Sequence, residues 1–403
     1  MCSSSLLVAL LAAAVSGPEV TLDQALALAV EGNARLKVSR SEVELSRAQV
    51  VAAHPWEMPK LRAQLQRIDD ISINKYSWYT SLAWTPPNPW EWSSGTDAAE
   101  ARLAQAQFDL AALQWDMEKD LRLAWLDVSG AASHERVAHD ALMVRRTLID
   151  LLTRRLAKGQ GTQIELNLAN LVATDARQDE LRFQSDALKA SQAVAWLVGQ
   201  VVTPVPAALP DEPPAIPPVD QLMTRLERHP ALLALQQRVN AASAAERVVI
   251  ARRLPWPEVQ VRLKENVNAT PSFDFTAGIA VPLAITPAPQ LEVARAQTAR
   301  LQAQLDAERA QMKSELQILH IRAESLRERW LSFEQDYRAT ITSHRQLQAR
   351  VLNDGSLDPT LLLNADRQAI DLEHKRLEVH LDLARTLVEL EAVAGPREAP
   401  PPK

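Results

Sequence analysis

Apolar residues recur at threes, fours and sevens along two long stretches of the chain. In the first, Leu103, Ala106, Leu110, Leu113, Met117, Leu121 and Ala124 fall on one helical face. In the second, Ala294, Leu301, Leu305, Met312, Leu316, Leu319, Ala323, Leu326, Trp330 and Phe333 do the same. This spacing is a heptad seam, the pattern of helices packed along their length. Each stretch runs roughly 60 residues without proline, which at about 1.5 Å per residue predicts a helix on the order of 90 Å long. Such a helix suits crossing an aqueous gap better than packing one compact core.

Both stretches end at glycine, in Lys158-Gly159-Gln160-Gly161 and in Asn353-Asp354-Gly355. Glycine takes the left-handed conformation that closes a helix at little steric cost. Thr162 or Asp358 can then cap a returning helix, with Pro359 at the first position of the second return. These shorter arms are expected to run to about Leu197 and Val393.

Only a few segments alternate with period two instead. Lys60 to Gln66 and Glu258 to Lys264 alternate polar with apolar, and Trp78 to Trp84 and Phe273 to Val281 are their expected partners. Alternation with charge on one face fits a barrel with a wet lumen, and also a half-buried strand pair in a soluble domain. The aromatic residues favour the barrel. Trp56, Trp78, Tyr79, Trp84, Trp90 and Trp92 gather around the first pair, and Trp256 and Phe273 flank the second. Trp and Tyr prefer membrane–water interfaces, so these eight are candidate membrane-interface residues.

The whole plan occurs twice, with a period of about 195 residues, so the chain is an internal duplication. Thr21-Leu22-Asp23-Gln24-Ala25-Leu26 opens one copy, and Val219-Asp220-Gln221-Leu222 followed by His229-Pro230-Ala231-Leu232 opens the other. The expected division is a signal peptide over 1–16, a first repeat over 17–203, a linker over 204–218, a second repeat over 219–395 and a proline-rich tail over 396–403. In the first repeat, a strand hairpin near 59–84 precedes a long helix near 95–158 and a return near 162–199. In the second, the hairpin lies near 257–281, the long helix near 288–352 and the return near 358–394. Thr203 to Pro218 holds seven prolines and no periodic apolar face. Proline removes backbone donors and favours extended chain there.

Composition narrows the function. The formal net charge of −6 shows no concentrated basic face for nucleic acid. Leu6 to Ala14 is apolar but too short to span a bilayer, and Ala14-Val15-Ser16 before Gly17 fits a signal-peptidase site, although Met1 to Ser5 carries no Lys or Arg. No segment approaches 18 consecutive apolar residues, so entry into a membrane requires a barrel. Cys2, the single cysteine, lies within the expected signal. Neither a histidine ligand pair nor a phosphate-binding glycine loop is visible, so no catalytic, cofactor or metal site is expected. Four strands cannot close a membrane barrel; three copies supply twelve.

The duplicated openings, the proline-led strand hairpins, Ala99-Glu100-Ala101-Arg102-Leu103-Ala104-Gln105-Ala106, Val293-Ala294-Arg295-Ala296-Gln297, the glycine tips and Leu197-Val198-Gly199 together resemble the TolC family of outer membrane efflux proteins. The resemblance covers about Thr21 to Gly395. It implies a homotrimer in which a 12-stranded β-barrel in outer-membrane lipid continues into a long α-helical coiled-coil barrel through the periplasm. It further implies a periplasmic adaptor protein and an inner-membrane transporter as partners, in efflux or type I secretion. By that resemblance Gly159, Gly161 and Gly355 are candidate adaptor contacts. Asp354 and Asp358 are candidates for an acidic pore constriction, an arrangement that favours cations; a plain helix cap is the competing role of Asp358. The alternatives are a periplasmic adaptor, for which no β-rich halves flanking the hairpin are visible, and a coiled-coil protein without a pore.

Overall fold

The computed structural model describes residues 17–53, 58–70, 73–210, 212–265, 271–280, 289–354 and 359–397. The expected signal peptide, Trp56, Gly355, Asp358 and most of the C-terminal tail lie outside these residues. A short strand β1 (Glu19–Val20) leads into helices α1 (Leu22–Gly32) and α2 (Ala34–Ala52), then strands β2 (Lys60–Asp70) and β3 (Ile73–Trp84). The long helix α3 (Pro89–Ala157) and its return α4 (Gln163–Val198) complete the first repeat. After β4 (Thr203–Pro204), the second repeat runs α5 (Val219–Leu226), α6 (Pro230–Ala251), β5 (Trp256–Glu265), β6 (Pro271–Ala280), α7 (Pro289–Asp354) and α8 (Pro359–Ala394).

Helix α3 has 69 residues and α7 has 66, so each is about 100 Å long at helical rise. Helix α3 begins at Pro89, earlier than the expected 95, because Asn88 caps it. Its side-chain oxygen accepts from the amides of Trp90 at 3.1 Å and Glu91 at 3.4 Å. Proline at the first position lacks only an amide that would have no helical partner. At the other end, Gly159 has φ 71°, and the Gly159 amide donates to the Leu156 carbonyl at 3.0 Å. Thr162 then starts α4 with reciprocal capping. Its hydroxyl accepts from the Glu165 amide at 3.3 Å, and the Glu165 carboxylate accepts from the Thr162 amide at 2.9 Å.

Each repeat has its own apolar core near the middle of the helices. Leu36, Met117, Leu121, Trp125, Val194 and Val198 form one, and Leu226, Leu305, Leu316, Trp330, Leu383 and Leu390 the other. The copies are joined closely where Gly130 of α3 meets α8: a Cβ there would lie 2.7 Å from Leu381 Cδ1. A third cluster of Leu148, Leu152, Ala169 and Leu363 lies toward the tips and ties the second return to the first hairpin.

The proline-rich segment does not hang free. Thr203 pairs with Glu19 and Pro204 with Val20 in a parallel two-residue ladder. Further along, the Ala207 amide donates to Ser129 Oγ at 3.2 Å, and His320 Nε2 lies 3.1 Å from the Pro217 carbonyl. A cavity of about 300 Å³ remains between these prolines and α8, lined by Leu209, Pro213, Pro217, His380 and Leu387.

Candidate functional site

The four longer strands form one antiparallel sheet in the order β2-β3-β5-β6. The two hairpins are therefore joined through β3 and β5, and the outer sides of β2 and β6 are left open within the chain. Register fixes which side chains share a face, because neighbours along a strand point to opposite sides. Leu61 faces Leu82, which faces Val261, which faces Phe275. The next row on that face is Ala63, Thr80, Leu263 and Phe273. Leu65, Trp78, Trp84, Val259, Pro257 and Ile279 extend it. This face is apolar across all four strands yet open to solvent: Leu61, Leu65, Phe273, Phe275 and Ile279 are each about two-thirds exposed or more. An apolar surface of this kind marks an interaction site or a membrane boundary.

The opposite face is mainly polar, with Ala83 and Gly278 among its residues. One row reads Arg62, Ser81, Arg262, Asp274, and the next Gln64, Tyr79, Lys264, Ser272. The Arg262 guanidinium lies over the Tyr79 ring at 5.6 Å from its centroid, and the Tyr79 hydroxyl bonds to Gln64. The 10 to 12 residues of each strand match what a tilted strand needs to cross a hydrocarbon layer.

The candidate interface aromatics separate into two groups. Trp78 and Phe273 stand on the apolar face of the sheet and are exposed, while Tyr79 is on the polar face. Trp84, Trp90, Trp92 and Trp256 gather instead where strands become helices. Trp90 meets Trp256 edge-on with centroids 5.9 Å apart, and Trp256 Nε1 donates to the Pro86 carbonyl. Asn88 Nδ2 also reaches the Ala251 carbonyl at 3.2 Å, so the start of α3 is bonded to the end of α6. The two repeats thus meet at the base of the sheet through Trp90, Trp256 and Asn88.

At the opposite end, the first tip presents Gly159, Gly161 and an exposed Ile164. Asp354 is the last residue of α7. Gly355 and Asp358, the other candidates at that tip, lie outside the described residues.

Between the tips and the cores, ionisable groups are buried, one pair of them where the repeats meet. Arg145 Nε lies 3.4 Å from Asp366 Oδ2, both almost fully enclosed, and Arg145 Nη1 donates to the Val172 carbonyl at 3.1 Å. Burial pushes the Asp366 carboxyl up, and the Arg145 charge opposes this. Glu334 is also buried, which pushes upward, but its bonds from Arg376 and Arg338 hold it below the usual carboxylate range. His139 and Arg177 hold Glu180 low in the same way.

Sequence reading missed one further arrangement. His134 of α3 and His374 of α8 approach Nδ1 to Nδ1 at 2.7 Å, and the Phe183 ring of α4 lies 5.0 Å from one and 5.1 Å from the other. Two imidazole nitrogens at this distance share one proton as donor and acceptor. Burial, and then the facing His374, depress His134 to about 4; burial likewise lowers His374. Among the described residues no group of three or more His, Cys, Asp or Glu side chains could hold a metal ion, and no helix is long and apolar enough to cross a membrane.

A strand sheet with one apolar and one mainly polar face, carried on helical hairpins about 100 Å long, is the architecture of this chain. The family model described as "Outer membrane efflux protein" matches residues 25–200, and the resemblance read from the sequence is borne out. The fold is shared over nearly the whole chain with solved structures of low identity. A membrane protein from Pseudomonas aeruginosa matches with a TM-score of 0.77 at 18% identity, covering 93% of this chain and 92% of that one. CusC, whose structures concern transmembrane channel formation, gives 0.76 at 14% identity, with 93% and 92% covered. The outer membrane protein VceC from Vibrio cholerae gives 0.70 at 19% identity, with 94% and 97% covered. Among curated protein sequences, none matches the chain.

Proposed function

We propose that this chain is one protomer of an outer-membrane channel that conducts solutes passively through the periplasm and the outer membrane in a tripartite efflux system. The two-faced sheet carries the reading. Among the described residues its apolar side has no partner, its polar side has no packed core behind it, and both edges are open. A membrane around three such sheets, closed edge to edge into twelve strands, satisfies every one of these surfaces. Neither a periplasmic adaptor nor a coiled coil without a pore accounts for an exposed apolar strand face.

The finer assignments follow the same reading. The helical hairpins form the periplasmic tunnel, and the tips meet an adaptor that couples the channel to an inner-membrane transporter. Gly159, Gly161 and Gly355 are the proposed adaptor contacts, and Asp354 with Asp358 the proposed acidic constriction. Opening then requires the second tip to part from the first hairpin, which breaks the Leu148, Leu152 and Leu363 cluster and strains the Arg145–Asp366 pair.

The purified protein is expected in the outer-membrane fraction, as a trimer resistant to unboiled detergent gels, and to give discrete ion conductance in a planar bilayer. A soluble periplasmic monomer without conductance would refute the channel. Within that assay, Asp354→Ala is expected to weaken block by divalent cations; unchanged block removes the acidic ring.

A further inference from the structure

The polar face of the sheet carries an uneven charge. Among the described side chains, four basic ones, Lys60, Arg62, Arg262 and Lys264, share it with two acidic ones, Glu258 and Asp274. The excess is two positive charges per protomer, or six in a trimer, in a chain whose formal net charge is −6. The sign is therefore local to the sheet and runs against the molecule as a whole.

The basic groups are also concentrated along the strands. Arg62 and Arg262 lie in one row across the sheet, on either side of Ser81, and Lys264 stands one row away beside Tyr79. Glu258 is at the helical end of β5, opposite Gly278 and away from this band. Asp274 is the one acidic residue within it, directly opposite Arg262. The Arg262 guanidinium is held over the Tyr79 ring, which fixes its place on the wall. Among the described residues, neither Arg62 nor Lys264 has a carboxylate within ion-pair distance, and both are exposed.

We infer that Arg62, Arg262 and Lys264 form a basic collar inside the barrel that selects small anionic solutes, those bearing carboxylate, phosphate or sulfate groups. The inference rests on the channel reading above, which makes the polar face the lumen. Three protomers place nine basic groups in two adjacent rows of the pore wall, against three copies of Asp274. Low-dielectric walls focus the field of such a ring, and the Debye length of about 8 Å at physiological salt is comparable with the distance from wall to axis. Rings of Arg and Lys favour anions for this reason.

The test is the reversal potential of reconstituted trimers under a tenfold KCl gradient. Arg62→Gln with Lys264→Gln is expected to lower the chloride-to-potassium permeability ratio by about twofold or more. Asp274→Asn removes the one opposing charge in the band and should raise that ratio, so the two variants move the potential in opposite directions with the tip unchanged. Inorganic tripolyphosphate added on the barrel side should block the unaltered channel and block the Arg62→Gln/Lys264→Gln channel less. If conducting trimers of both variants keep the parent's reversal potential, the collar is wrong while the channel stands. Folded trimers of the parent with no conductance overturn the channel reading, and the collar with it.

Discussion

Acidification should loosen the seam between the two repeats at His134 and His374, and the size of the effect follows from the geometry. With a 2.7 Å Nδ1 to Nδ1 contact, the pair tolerates one proton between the rings and not two. His134 is depressed from 6.5 to about 4 by burial and by His374, with Arg385 and Arg182 adding positive charge. Around His374, Asp179 of α4 and Asp371, Glu373 and Glu378 of α8 pull the other way without overcoming burial. The sign follows from proton counting. Between about pH 6.5 and 4 the opened seam binds a proton that the closed seam refuses, so closure weakens as pH falls. Going from pH 7 to 5 amounts to about 2 kcal/mol for His134 without screening, and about 1 kcal/mol once partial solvent exposure is allowed for. Hydrogen exchange of the peptides around residues 128–140 and 368–380, corrected for intrinsic rates, should therefore speed by roughly fivefold. A His134→Gln/His374→Gln variant keeps hydrogen-bonding groups but cannot titrate, and should lose most of this pH dependence. The reasoning fails if the variant's protection falls between pH 7 and 5 as steeply as the parent's.

Two more substitutions probe the frame. Asp366→Ala leaves the Arg145 guanidinium buried beside an empty site and should cost about 3–5 kcal/mol in denaturant unfolding, whereas Arg145→Met with Asp366→Leu should recover most of that loss. Thr162→Ala removes the hydroxyl that caps α4 and should cost about 1 kcal/mol, visible as faster hydrogen exchange confined to the first turn of that helix.

How far the chain could be read depended on the range of each interaction. Heptads, alternation, glycine stops and the Thr162 cap are local, and the residues concerned lie within a few positions of one another. The repeat extended that reach, because it showed each local signal twice. What escaped depends on partners far apart in sequence. His134 compared with His139 on its own helix suggests nothing, and its true neighbour His374 is 240 residues away. Arg145 with Asp366, and Asn88 with Ala251, were hidden for the same reason. Prolines between the repeats announced extended chain, yet two residues of parallel pairing with β1 leave no compositional trace. The two faces of each strand were legible from alternation, but the basic collar emerged only when the register β2-β3-β5-β6 aligned residues from separate hairpins.

The open edges of β2 and β6 also bear on how the molecule is made. A protomer that has folded its own four strands still offers two unsatisfied rows of backbone donors and acceptors, so joining a second copy leaves as many free ends as before. In the proposed trimer only the third, by meeting the first, ends the series. Partial assemblies are thus as reactive as the monomer, and the finished ring alone is inert. Newly exported protomers then face a race between ring closure and open-ended strand addition, decided by their local density at the membrane rather than by the stability of any one chain.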